Sequence, residues 1–263
     1  PGMVMAAARL DIPVVVISGG PMLAGDYQGR KVSLSQIFEG VGSYMKGDIS
    51  AEDLCDLEDA VCPTCGSCAG LFTANSMSCV TETLGLALPG DATIPAPFSS
   101  RLVLARQTGA AAVEVVRQGW TARRFLTPAS MRNALAVDAA LGCSSNTVLH
   151  LLAIANEAEV DLKVEDFNEV AAATPNLVKL APSGPDHMED LHRAGGIQAV
   201  LKRLGEAGLI DGSVPTVSGL DIATQSGAAV IQDENIIRPL DRAYRPTGGI
   251  VAAPTTSLPE VRR

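Results

Sequence analysis

Five of the six cysteines crowd into Cys55–Cys79. Cys62, Cys65 and Cys68 recur at every third position of VCPTCGSCAGLFTANSMSCVTETLGLALPG, Val61 to Gly90, and only Cys143 lies elsewhere. A Cys-x-x-Cys pair can hold zinc, hold an iron–sulfur cluster or cycle as a dithiol. Structural zinc usually takes two such pairs with a spacer, and here Cys79 stands alone. Three cysteines in steps of three are not the single pair of a redox dithiol. Free cysteine is also among the most buried residue types, so every thiol has a second reading as a small core residue. That second reading suits Cys55, Cys79 and Cys143, and Cys62 and Cys65 stay open between the two. Cys68 reads as a ligand, because it opens an expected helix, where free N–H groups and the positive dipole end favour thiolate.

Two further stretches have the residue types for chemistry. Val14–Ile17 is a β-branched run, expected as a buried strand, and it delivers Ser18-Gly19-Gly20-Pro21 to its carboxyl end. Open α/β sheets bind ligands there, and paired glycines let backbone approach a small anion. Ser18, Gly19 and Gly20 are therefore candidate substrate-binding residues, although the run lacks the Lys-Ser of a P-loop and reads equally as a tight turn. Downstream, a short strand Asn176–Leu180 leads into a turn crowded with Asp186, His187, Glu189, Asp190 and His192. Such a group can serve metal or acid–base work, or simply supply helix N-terminal acids. His187 and Asp190 are the candidates for a supporting role, since i, i+3 spacing puts them on one helix face.

The elements that position these residues follow from periodicity and caps. Helices are expected over Pro1–Leu10, Leu34–Met45, from Ser50 toward Cys62, Ala69–Leu88, Ser99–Gln118, Ala129–Leu141, Thr147–Glu157, Val164–Thr174 and Gly196–Leu204. Ser50 with Asp53 marks a helix start, and Pro89-Gly90 marks a stop. Arg101, Arg106, Glu114 and Arg117 read as one solvated face. In GCSSN, residues 142–146, Ser145 or Asn146 reads as a cap, and the amides beyond could face a substrate carboxylate. His150, among Leu149, Leu151 and Leu152, reads as a core residue. After Thr216 the texture changes to short β-like runs, Ala229–Gln232, Ile236–Ile237 and Ile250–Val251.

The chain has 263 residues, enough for one large or two smaller domains. It is 47% hydrophobic but only 3% aromatic, so the core is built from Ala, Val, Leu and Ile, as suits α/β packing. A net charge of −9 without a basic stripe argues against nucleic acid. No apolar run reaches membrane-span length, and no secretion signal is recognisable, so clustered cysteines point to a reducing compartment, cytoplasm or organelle matrix.

The segment CPTCGSCAGLFTANSMSCVTETLGLALPG resembles the signature of the dihydroxy-acid/6-phosphogluconate dehydratase family. PGMVMAAARLDIPVVVISGGPMLAG, NALAVDAALGCSSNTVLHLLAIANEA, LAPSGPDHMEDLHRAGGI and IIRPLDRAYRPTGGI resemble the same family, in the same order, over roughly Pro1 to Ile250. GSCAGLFTANSM is closer to the dihydroxy-acid dehydratases than to their sugar-acid relatives. The resemblance implies an α/β fold: a three-layer α/β/α domain over residues 1–225, and the start of an all-β barrel over 226–263. It implies a hydro-lyase that converts a 2,3-dihydroxy acid, such as 2,3-dihydroxyisovalerate, to a 2-keto acid in branched-chain amino-acid synthesis. It implies an iron–sulfur cluster, [2Fe–2S] rather than [4Fe–4S], a magnesium ion (Mg2+), and a homodimer or higher homo-oligomer. Cys68 matches a cluster ligand; Cys62, Cys65 and Cys79 match signature positions that are not ligands. The family's Cys-Asp-Lys run, which supplies another cluster cysteine and magnesium ligands, would directly precede Pro1, with a further cysteine upstream. Its serine base would lie beyond Arg263, in the barrel, with another acidic metal ligand. On this resemblance the sequence is an internal segment, expected neither to hold the cluster stably nor to turn over substrate by itself. The tail AAPTTSLPEVRR departs from the family's continuation. The alternatives are a sugar-acid or 6-phosphogluconate dehydratase, or a zinc-stabilised, non-catalytic domain using Cys62, Cys65, Cys68 and Cys79.

Overall fold

A computed structural model describes residues 1–252. Its framework is helical. The helices are α1 (Gly2–Leu10), α2 (Leu34–Lys46), α3 (Ala51–Ala60), α4 (Thr73–Thr83), α5 (Ser99–Arg117), α6 (Ala122–Phe125), α7 (Pro128–Leu141), α8 (Asn146–Ala158), α9 (Val164–Ala173), α10 (Met188–Ala194), α11 (Gly196–Glu206) and α12 (Ile222–Gly227). Several begin where capping chemistry dictates. The Ser50 hydroxyl accepts the Asp53 amide while Asp53 returns a bond to the Ser50 amide. Thr127 does the same with Ser130 around Pro128, the paired caps of a capping box.

The centre is α7. From Ser130 to Leu141 every residue except Arg132 is buried. A helix buried all round needs small side chains where neighbours approach, and Ala134, Ala136, Ala139 and Ala140 supply them. α4, α8, α9 and α11 pack around it, and α1 packs on α8. A smaller lobe stands apart. Strands β1 (Gly25–Tyr27) and β2 (Arg30–Val32) form an antiparallel hairpin. With α2 and α3 they enclose a separate small core of Val32, Leu57 and Val61. Lys31 ties this lobe to the body, its ammonium 2.5 Å from both Glu189 and Asp190.

Several expectations need correction. The helix after the cysteine loop spans Thr73–Thr83, shorter than Ala69–Leu88 at both ends. Gly85, with φ +77°, turns the chain, and Ala87 then makes a single bridge to Val16. Among the described residues the only sheet is the β1–β2 hairpin, so the layered sheet of a three-layer sandwich is reduced to isolated bridges. Val14–Ile17 is extended, but it pairs only at Val16, whose amide donates to Leu86 O at 2.8 Å. Val14–Val16 are half-buried and Ile17 is 43% exposed, so this is not a fully buried strand. Asn176–Leu180 likewise holds only single bridges, to Arg245 and Asp186.

No strand forms over residues 226–252. That run lies on the body through backbone bonds such as Arg238 N–H to Leu177 O and Gly249 N–H to Ala139 O. The remainder of the expected barrel start, with most of the tail, lies outside the described residues. No helix among the described residues is long and apolar enough to cross a membrane.

Candidate functional site

The fold brings the Ser18-Gly19-Gly20 turn onto the cysteine loop. Ser67 donates its amide to Gly20 O at 3.0 Å, and Met22 donates back to Ser67 O at 2.8 Å. Gly66 makes this closeness possible: its φ is +129°, and a Cβ there would sit 2.5 Å from the Met22 nitrogen. Asn75, on the first turn of α4, then fixes the loop from the other side. Its amide nitrogen donates to the carbonyls of Cys68 and Gly70, and its oxygen accepts the Ser67 hydroxyl. The loop of 181–188 closes the far flank, with Leu71 N–H donating to Ala181 O and Met188 N–H to Ala69 O.

Beneath the glycine turn lies a buried ion pair. Arg101 is 7% exposed and Asp91 1%. Asp91 Oδ1 accepts the Ser18 amide at 2.9 Å and the Arg101 guanidinium at 3.1 Å. Arg101 also donates to the carbonyls of Asp91 and Ile94. Burial raises the Asp91 pKa, and the Ser18 amide and Arg101 pull against that rise. Arg101 is therefore a structural cation under the turn, not part of the solvated face its sequence suggested. Glu82 builds the loop that carries Asp91. It is fully buried and accepts the Gly90 and Ala92 amides and the Gln198 side chain. Burial pushes its carboxyl up to about 7, against those three donors.

An open cleft of about 500 Å³ lies between α1, the Ser18 turn and the start of α4. Its walls are largely apolar, with Val4, Val16, Ile17 and Met77, and they carry the polar groups of Ser18, Thr73, Ser78, Thr81 and Asp91. Among the described residues no Lys, Arg or His lines it. Thr73 is held by a second turn: its hydroxyl accepts from Asn146 Nδ2 at 2.8 Å and meets the Ser144 hydroxyl at 3.1 Å. Asn146 is the first residue of α8 and reaches across to α4, and contrary to the expectation of a cap, neither it nor Ser145 caps α8 by side chain.

The thiols divide differently from expectation. Cys79 and Cys143 are buried as expected, but Cys55 is exposed, as are Cys62 and Cys65. Cys68 is half-buried and lies five residues ahead of Thr73, not at the helix start. Burial, with Cys62 nearby, raises its pKa, opposite to the expected dipole effect. Among the described residues no three His, Cys, Asp or Glu side chains converge on a possible metal position. The four-cysteine zinc site is therefore not formed: Cys79 sits wholly inside the core while Cys62 and Cys65 face solvent. By the same test, the residues described do not compose a site for an iron–sulfur cluster or a magnesium ion.

His187 and Asp190 are brought together, but as cap and first turn of α10. Asp190 accepts the His187 amide at 2.9 Å. The imidazole is 2% exposed with both nitrogens unpartnered, and burial lowers its pKa. His150 is only partly buried. Thr73, Glu82, Asp91 and Asp138 were not singled out from sequence. The available signal was acidic residues inside apolar helices, TETLGLAL and LAVDAAL.

The N-terminal family of dihydroxy-acid/6-phosphogluconate dehydratases matches residues 1–225. A dihydroxy-acid dehydratase of Lachnospira eligens is 50% identical over 260 residues, covering 99% of this chain and 47% of that protein. Those of Desulfitobacterium hafniense and Carboxydothermus hydrogenoformans are each 52% identical over 250 residues, covering 95% of this chain and 44% and 45% of theirs. The chain spans about half the length of the curated relatives it matches.

Proposed function

The chain belongs to the dihydroxy-acid/6-phosphogluconate dehydratase family, and from that premise we propose that its protein is a hydro-lyase acting on 2,3-dihydroxy carboxylic acids. The reaction removes the C2 proton and the C3 hydroxyl as water; the enol so formed tautomerises to the 2-keto acid. Residues 1–225 form the family's N-terminal domain, and residues 226–263 lead toward its second domain. Branched-chain amino-acid synthesis is the setting that the relatives' name suggests.

The character of the cleft carries the choice of substrate. A phosphorylated sugar acid needs a cation for its phosphate, and among the described residues, Pro1 and Gly2 included, no cationic side chain lines these walls. The nearest buried cation, Arg101, is engaged by Asp91 and two carbonyls. Val4, Val16 and Met77 instead offer an apolar wall for a short alkyl group, and Ser18 and Thr73 offer hydroxyls to an oxygen-rich head. These residues bind and orient. The group that takes the C2 proton is not assigned to a residue of this chain.

We assign Cys68 as one ligand of an iron–sulfur cluster, of the [2Fe–2S] type, with magnesium as a second cofactor. The described residues do not complete either ligand set, so no step is derived through these groups. For the same reason the 263-residue chain alone is expected to show no dehydration. The test is a substrate panel on the intact protein: 2-keto acid formation from 2,3-dihydroxyisovalerate is expected to exceed that from 6-phosphogluconate by at least ~100-fold. The reverse preference would overturn the reading.

A further inference from the structure

Asp138 lies in the last turn of α7, fully buried, and neither carboxyl oxygen has a cation or a partner in hydrogen-bonding geometry. Burial raises the Asp138 pKa to about 7, and the Thr147 hydroxyl and the Cys143 thiol are near enough to pull against that rise. The Thr147 hydroxyl has a single proton, and it is committed to Ser144 O at 2.7 Å. Thr147 therefore faces Asp138 with lone pairs only, which oppose a carboxylate, and the donor left beside the carboxyl is the weak S–H of Cys143. A carboxylic acid would meet an acceptor for its own O–H.

The surroundings hold no compensating charge. From α4 the titratable groups facing this interior are Cys79 and Glu82, and from the α7–α8 turn it is Cys143. On α9, Glu169 is turned to the surface and pairs with Arg132. On α11, Lys202 bonds to Ala229 O and Arg203 to Glu234. An unpaired buried carboxylate is strongly disfavoured against its neutral form.

The position matters because of what Asp138 holds. Its carbonyl accepts the Gly142 and Cys143 amides, and Thr147 opens α8 on the other side of the turn. That turn presents Ser144, whose amide donates to Ser76 at 3.0 Å, and Asn146, whose side chain holds Thr73 on the cleft wall. We propose that Asp138 is a positioning residue that works as a neutral carboxylic acid, its O–H bonded to Thr147, holding residues 142–146 against Thr73 and Ser76. Ionising it removes the donor and loosens the turn that shapes the cleft. The structural part is independent of the reaction; the effect on turnover rests on the dehydratase reading.

The test compares the intact protein with Asp138→Asn, whose amide can still donate to Thr147 without ionising. The melting temperature of the wild type is expected to fall relative to the variant between about pH 5 and pH 7, and the gap to level off above that. In the infrared, a protonated-carboxyl band present at pH 6 is expected to vanish in the variant. In turnover, the alkaline limb of kcat/KM is expected to move to higher pH in the variant. Thr147→Val, which leaves Asp138 in place but removes its acceptor, is expected to lower the melting temperature at pH 6. Melting curves that stay parallel across pH, with no carboxyl band lost, would overturn the neutral acid. An unmoved alkaline limb would overturn the positioning role. A protein that melts as expected yet dehydrates no dihydroxy acid would contradict the proposed function and leave the neutral acid standing.

Discussion

Ser67 links Gly20 to Asn75, its amide donating to the Gly20 carbonyl at 3.0 Å and its hydroxyl to Asn75 Oδ1 at 2.6 Å. Two motifs 47 residues apart in sequence are thereby one structure. The glycine turn, the cysteine loop and the start of α4 are tied into one unit, and Asn75 is the side chain that closes it. Any ligand of the cleft meets this unit, because Ser18 and Thr73 both line the walls.

Gly66→Ala tests that unit directly. The new methyl would be 2.5 Å from Met22 N, at a φ of +129° that side chains rarely adopt. The expected cost is about 1–3 kcal/mol of folding stability, measured by urea denaturation. Hydrogen exchange is expected to show the Met22 amide losing protection first.

Arg101→Met leaves Asp91 buried and unpaired. The expected loss is about 3–5 kcal/mol. Asp91→Asn in the same chain should recover part of it, so the double variant is expected to be more stable than the two single losses summed. Strict additivity would mean that the pair is not coupled.

His187 gives a pH dependence of definite sign. Its folded pKa is depressed by burial, so the unfolded chain binds the extra proton. Stability is expected to be full above the ordinary histidine pKa near 6.5 and to fall as pH drops through and below it. His187→Phe should flatten that acid limb. An unchanged slope would show that another group is responsible.

Lys31 latches the small lobe to the body through Glu189 and Asp190. Lys31 is partly exposed, so the global effect of Lys31→Met is expected to be small, about 1 kcal/mol. The local effect should be larger: amides of α2 and α3 are expected to exchange faster while those of α7 do not change.

The helices were legible because their signals are local. Ser50 with Asp53, and Thr127 with Pro128, each fix a helix start within four residues. The membership of Ser18–Gly20 and Cys68 in one region was legible only as two separate motifs, since nothing in either sequence names Ser67 as the link. Arg101 was misread because helical position does not reveal whether a charged face meets solvent or a buried carboxylate. Its partner Asp91 lies in a loop set by Glu82, outside any periodic pattern. Val14–Ile17 has the composition of a central strand, but a ladder needs consecutive partners, and only Val16 finds one. The Cys68 thiol was placed on a helix start because an apolar run follows it; the helix instead begins at Thr73, after Asn75 has tied the intervening carbonyls.

The most direct test of the central claim is 2-keto acid release by the intact protein from 2,3-dihydroxyisovalerate, with Cys68→Ser alongside and bound iron determined in both. The account predicts turnover in the wild type, and loss of at least ~100-fold in the variant together with its iron. Wild-type protein that dehydrates no dihydroxy acid, or a Cys68→Ser variant that keeps full iron and full turnover, would contradict it.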